Sequence, residues 1–202
     1  MEQIKLYQHQ LDILDLAKRE PCVGLLWEMG TGKTAGLINI LRDKYRNKRK
    51  VAKTLILAPI VTLYNWKEEF SKFSKIKPGL VNVLEGTGIK RVKNLQNFLV
   101  DHKDEFENEC ILITNWEAIC NEEIFSNLME WGPEILVGDE LHLIKSYKSK
   151  RAKKAVILAD RTRSLGGNVY GLTGTAILNS IEDIYMQYRF LDGGENFGRN
   201  FF

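Results

Sequence analysis

Gly30-Thr31-Gly32-Lys33-Thr34 follows an apolar run, Val23-Gly24-Leu25-Leu26-Trp27, and opens a stretch with Leu37, Ile38, Ile40 and Leu41 at helical spacing. A strand, a glycine loop and a helix in that order form a cradle for a triphosphate. Gly30 and Gly32 permit backbone angles and close approaches that a side chain would block, so successive N–H groups converge on phosphate oxygens. The helix behind them adds its positive N-terminal end. Lys33 then reaches the β- and γ-phosphates, and the Thr34 hydroxyl is placed to coordinate Mg²⁺. The first glycine of the full pattern would fall at position 27, which is Trp.

A second group of residues fits the same chemistry. Glu134-Ile135-Leu136-Val137-Gly138-Asp139-Glu140-Leu141-His142 is an apolar run that ends in two carboxylates, as in a buried strand delivering acids at its C-terminal edge. Asp139 is the candidate Mg²⁺ ligand, directly or through water, and Glu140 the candidate that orients and polarises an attacking water. Neighbouring side chains on a strand point opposite ways, which favours two roles over one shared site. Gly138 stands where a bulky apolar residue is expected. His142 either couples the γ-phosphate to a distant segment or is a satisfied polar residue at a strand end.

Positioning these groups requires a sheet. Strand-like segments at 23–27, 54–58, 80–84, 111–114, 135–137 and 169–172 alternate with helix-like ones at 8–18, 33–45, 63–73, 89–100, 116–128, 149–159 and 181–190. That alternation predicts an α/β fold, a parallel sheet with helices on both faces, in one domain covering 1–202. The longest apolar runs fall short of a membrane span and Met1-Glu2-Gln3-Ile4-Lys5 has no signal-peptide core, so the expectation is a cytoplasmic, intracellular protein with no membrane partner. Three cysteines, Cys22, Cys110 and Cys120, lack metal-site spacing and read as small core residues.

Net charge is only +3, but basic residues cluster from Arg42 to Lys53 and from Lys145 to Lys154. The first run reads as a solvated helix end, and the second, directly after the acid pair, as either a solvated face or a phosphate contact. Two further turns follow predicted strands: Ala58-Pro59-Ile60-Val61-Thr62, leading to Asn65-Trp66, and Thr114-Asn115-Trp116-Glu117. Both combine hydroxyl or amide groups with an aromatic, which suits a sugar-phosphate backbone. Trp66, Phe70 and Phe73 also have the spacing of a helix face buried in the core. Leu172-Thr173-Gly174-Thr175-Ala176 ends the last strand with hydroxyls and a glycine able to approach the nucleotide.

In this order the motifs resemble the first motor domain of superfamily 2 helicases, in the Swi/Snf-like branch of DNA translocases, from Tyr7-Gln8-His9-Gln10 to Phe190-Leu191-Asp192. The resemblance implies a RecA-like lobe of the P-loop NTPase type. Gln10 looks like the adenine-reading glutamine, and Glu28 to Thr34, including Met29, like motif I. Pro59, Asn65 and Trp66 are similar to motif Ia and its helix, and Thr114 and Asn115 to motif Ib; in the family both face the tracked strand. Asp139 to Lys145 resembles motif II, with Leu141 where alanine is usual. Thr173, Gly174 and Thr175 resemble the coupling motif III, with Ala176 in place of proline and Asn179 retained.

The resemblance also implies ATP and Mg²⁺ as cofactors, duplex DNA more than RNA as partner, and a second RecA-like lobe, absent from this chain, that supplies arginines to the γ-phosphate. Such an arginine is worth about 10³ to 10⁵ in rate, so the lobe alone is expected to bind ATP and turn it over poorly. Two other readings compete: a non-catalytic regulatory protein that keeps the fold and binds nucleotide or DNA, and the lobe of an RNA helicase.

Overall fold

The computed structural model describes residues 6–101, 110–175 and 181–198. Six parallel strands form one sheet: β1 (Cys22–Leu25), β2 (Thr54–Ala58), β3 (Val81–Val83), β4 (Ile111–Asn115), β5 (Ile135–Asp139) and β6 (Asn168–Leu172). Their spatial order is β1-β6-β5-β2-β4-β3. Strands β2, β4 and β5 are buried along their whole length, which is why they read as unbroken apolar runs and not as alternating ones.

Helices cover both faces. α1 (Gln8–Arg19), α2 (Lys33–Lys48) and α3 (Leu63–Phe73) pack with Ile56, Ile113, Val137 and Leu172 on one side. α4 (Gly88–Asp101), α5 (Glu122–Trp131), α6 (Lys150–Ser164) and α7 (Tyr185–Asp192) pack with Leu55, Leu57, Leu112 and Leu136 on the other. The alternation along β2, Leu55 and Leu57 against Ile56 and Ala58, assigns each side chain to one layer. Trp66 and Phe70, on the inward stripe of α3, are both fully buried.

Several expected boundaries differ: β1 ends at Leu25, α6 runs on to Ser164 and α7 begins at Tyr185. The helix anticipated over 116–128 begins only at Glu122, because the Asn121 side chain accepts from the Ile124 N–H at 3.0 Å and caps it there. Its predicted first residues instead form a turn at Trp116 and Glu117, just after β4, and then a 3-10 turn, Ala118–Cys120. β5 runs on through Gly138 to Asp139, since Gly138 pairs with Leu57 of β2 and Gly171 of β6.

Gly138 and Leu141, both departures from expectation, fit together. A Cβ on Gly138 would stand 2.6 Å from Leu141 Cδ2 and 3.0 Å from Trp116 Cη2, and one on Gly171 would collide with Leu141 Cδ1. Leu141, fully buried, thus occupies the volume that two glycines on adjacent strands leave open. Leu141→Ala is expected to cost about 2–5 kcal/mol although alanine is the usual residue there in the resembling family. Chemical denaturation will check this, and Gly138→Ala should be tolerated far better in the Leu141→Ala background than alone.

Candidate nucleotide site

Strands β1, β6 and β5 are neighbours, so the segments leaving their C-terminal ends share one edge of the sheet. They are the glycine loop, Thr173-Gly174-Thr175, and Asp139-Glu140. In the loop, Gly30 and Gly32 both sit at φ 78°, the left-handed region. Gly32 is doubly constrained, because a Cβ there would lie 2.6 Å from Gln10 Nε2. Thr31 Oγ1 donates to Glu28 O at 2.7 Å and braces the turn.

Gly32 is also the N-cap of α2, which has no side-chain cap and no acid in its first turn. Its leading N–H groups are therefore left to an anion. Lys33 Nζ rests on the carbonyls of Trp27 and Glu28, at 3.1 and 3.0 Å. These are weak local partners that a phosphate can displace. Thr34 is half-buried beside it. Lys33→Ala is expected to weaken ATP binding about 100-fold or more, through loss of charge-assisted bonds, as read by calorimetry.

Gln10 is buried and both ends of its amide are engaged. Its Oε1 accepts from Tyr7 N–H at 3.0 Å and its Nε2 donates to Gly32 O at 3.1 Å. In this conformation it props the phosphate loop and is not open to a base. His9 does likewise, with Nε2 3.1 Å from Thr31 O and its ring edge-on to Trp27. Met29 is largely exposed at the lip of the loop. Gly174 lies against this loop: a Cβ there would meet Met29 Cγ at 3.3 Å and Lys33 Nζ at 3.5 Å.

Asp139 is 9% exposed. Burial pushes its carboxyl up to about 6, partly opposed by the Trp66 hydrogen bond, while the Glu140 charge raises it further and Lys33 lowers it. Glu140 adopts φ 53° and ψ 58°, unusual for a residue with a Cβ. Its Oε2 is buried without a hydrogen-bond partner among the described residues, although His142 Nδ1 stands 3.2 Å away out of alignment. His142 Nδ1 instead meets Thr173 Oγ1 at 3.2 Å, and Thr175 N–H donates to Thr173 Oγ1. Ala176 and Asn179 lie outside the described residues.

The expected nucleic-acid residues divide. Pro59 and Asn65 remain at the surface, on a turn where Ile60, Val61 and Tyr64 are exposed. Trp66 and Thr114 are a correction: both side chains are buried and out of reach of a nucleic acid. Trp66 Nε1 donates to Asp139 Oδ2 at 2.9 Å, and Trp116 Nε1 to Asp139 O at 2.8 Å. Asn115 is buried too, accepting from Arg91 Nη1 at 2.6 Å and donating to Glu117 Oε2 at 2.7 Å. Lys145 Nζ lies 3.8 Å from Asp183.

Much of the basic runs is likewise engaged within the fold. Lys50 pairs with Glu134, Lys150 and Lys154 with Glu122, and Arg151 with Glu117. Nothing in local sequence announced the two indole bonds or the Arg91 contact, because their partners lie 73, 23 and 24 positions away.

A glycine cradle on an uncapped helix, a lysine, and a carboxylate two strands away across β6 lie at one edge of a parallel sheet of RecA-like fold. A profile of the SNF2-related domain matches residues 8–198, and the chain belongs to that family. It is 28% identical over 167 residues to the chromatin-remodeling ATPase INO80 of Saccharomyces cerevisiae, and 29% identical to that of Cryptococcus neoformans. Each match covers 81% of this chain and only 10% and 9% of those proteins, so the chain spans about a tenth of the curated relatives it resembles.

Among solved structures, the Sulfolobus solfataricus SWI2/SNF2 ATPase core in complex with dsDNA superposes with a TM-score of 0.69 at 23% identity, covering 94% of this chain and 36% of that one. The UvsW helicase of bacteriophage T4 gives 0.62 at 16% identity, covering 94% and 58%. Both show the same fold. Among the described residues, no helix is long and apolar enough to cross a membrane.

Proposed function

We propose that this chain is the ATP-binding lobe of an intracellular, ATP-dependent DNA translocase or helicase, and that it hydrolyses ATP with Mg²⁺ once a second RecA-like lobe and DNA complete it. The observation that carries this is the convergence of the Gly30–Thr34 cradle, Thr173–Thr175 and Asp139–Glu140 at one edge of the sheet. A similar relative is named for chromatin remodelling and a structural neighbour was solved with dsDNA, which supports DNA as the track.

The donor set suits magnesium. Among the described residues, no group of three or more His, Cys, Asp or Glu could hold a metal unaided. Magnesium is commonly held by one or two protein groups together with substrate phosphates, and Thr34 and Asp139 fit that number. A buried carboxylate raised by desolvation is also one that a cation would stabilise. When bound, magnesium supplies charge neutralisation across the β- and γ-phosphates.

The chain's own residues do the rest. The N–H groups at the start of α2 hold phosphate oxygens, and Lys33 moves from the Trp27 and Glu28 carbonyls onto the terminal phosphates. Glu140, at the C-terminal edge of the sheet, orients a water and takes its proton. His142, paired with Thr173, senses the site and passes its state toward β6. The test is ATP binding by calorimetry with and without Mg²⁺, followed by hydrolysis with the second lobe supplied, alone and with duplex DNA or RNA. Absence of heat from ATP and metal would sink the proposal. Binding without DNA-stimulated turnover would favour a regulator, and stimulation by RNA alone an RNA helicase.

A further inference from the structure

We propose that Trp66 and Trp116 are positioning residues that hold Asp139 for the metal from the two faces of the sheet, and that through Trp66 nucleic-acid contact at the exposed turn leading into α3 adjusts how Asp139 receives it. The inference rests on the reading of the chain as a metal-nucleotide centre with DNA as its track.

Trp66 directly follows the exposed Asn65 on α3, and Trp116 directly follows Asn115 at the end of β4. The two rings lie on opposite faces of the sheet, one in each core layer. Both indoles nevertheless donate to the same residue, one to Oδ2 of Asp139 and the other to its backbone oxygen. An indole N–H only donates, and its rigid ring leaves few ways to keep the bond if the backbone beneath it shifts.

Trp131 Nε1, by contrast, has no partner among the described residues. The Trp116 ring is held in place edge-on to Phe190 at 6.2 Å, and the bare backbone of Gly138 makes room for it. A second connection runs from the same β4 turn. Asn115 bonds Glu117, Arg151 bonds Glu117 at 2.7 Å, and Arg151 Nη2 donates at 2.6 Å to Leu143 O in the 3-10 turn that follows Glu140. Movement of either turn is therefore carried to the carboxylate or to the segment just beyond it.

The test uses the chain itself. In Trp66→Phe, which keeps an aromatic ring and removes the donor, the Mg²⁺ concentration needed for tight ATP binding is expected to rise about 10- to 100-fold. ATP affinity in EDTA should be unchanged. Phe70→Leu, which disturbs the same helix without touching Asp139, should leave the Mg²⁺ requirement where it was. In the native chain labelled with ¹⁵N-tryptophan, short duplex DNA without nucleotide should move the Trp66 indole signal, assigned from the Trp66→Phe variant.

An unaltered Mg²⁺ requirement in Trp66→Phe would overturn the proposal, as would an equal shift in Phe70→Leu or a Trp66 indole signal indifferent to DNA. A native chain with no magnesium-dependent ATP binding would overturn the functional reading and this coupling with it. Retained binding with an indifferent Trp66→Phe would remove the coupling alone.

Discussion

Glu140→Gln is expected to keep magnesium-dependent ATP binding and to slow DNA-stimulated hydrolysis by the completed motor about 10²- to 10⁴-fold. The amide matches the carboxylate in size and can still hold a water, but it cannot accept that water's proton. The backbone gives a reason to trust the substitution. Glu140 is held at φ 53°, and glutamine has the same Cβ, so it meets the same strain and should leave the turn in place. A glycine there would relieve the strain and confuse loss of the base with a rearranged turn. The measurement needs the second lobe, since a trans-acting arginine alone is worth about 10³ to 10⁵ and the isolated lobe would give too little signal to divide. Native-like hydrolysis by the variant would show that Glu140 is not the base.

The strongest periodic segments were legible from the sequence to the residue. β2 and α3 fall where their apolar patterns end, because Pro59 and Ser74 interrupt them. The glycine loop was legible because its chemistry is local: cradle, lysine and hydroxyl lie within five positions. Gly138 and Leu141 were visible as departures, but their compensation was not, since Gly171 enters from another strand. Trp66 had the spacing of a core residue and the neighbourhood of a track residue. Only the sheet order shows that a core position beside β5 also reaches Asp139. The basic runs stayed ambiguous for the same reason, since charge along a sequence does not reveal that Lys50 faces Glu134, 84 positions away.

Asp139→Asn should make the free lobe more stable at neutral pH while removing its magnesium-dependent nucleotide binding. Desolvation lifts the folded carboxyl from 3.8 to about 6, so the folded chain keeps this proton to a higher pH than the unfolded chain does. Its contribution to stability is fully present below the unfolded value and is lost as pH rises through about 6. Above that, the fold carries an ionised, buried group at a cost of up to about 3 kcal/mol, which the amide does not incur. The Trp66 N–H opposes part of this, and an asparagine oxygen can still accept it. Thermal melts from pH 4 to pH 8 should therefore show the variant pulling ahead of the native chain as pH rises, with the two converging near pH 4. Mg²⁺ with ATP should stabilise the native chain at pH 8 and leave the variant unmoved. Two melting curves that stay parallel across the whole range would mean that the burial of Asp139 does not govern its charge, and the case for a cation at this carboxylate would then rest on geometry alone.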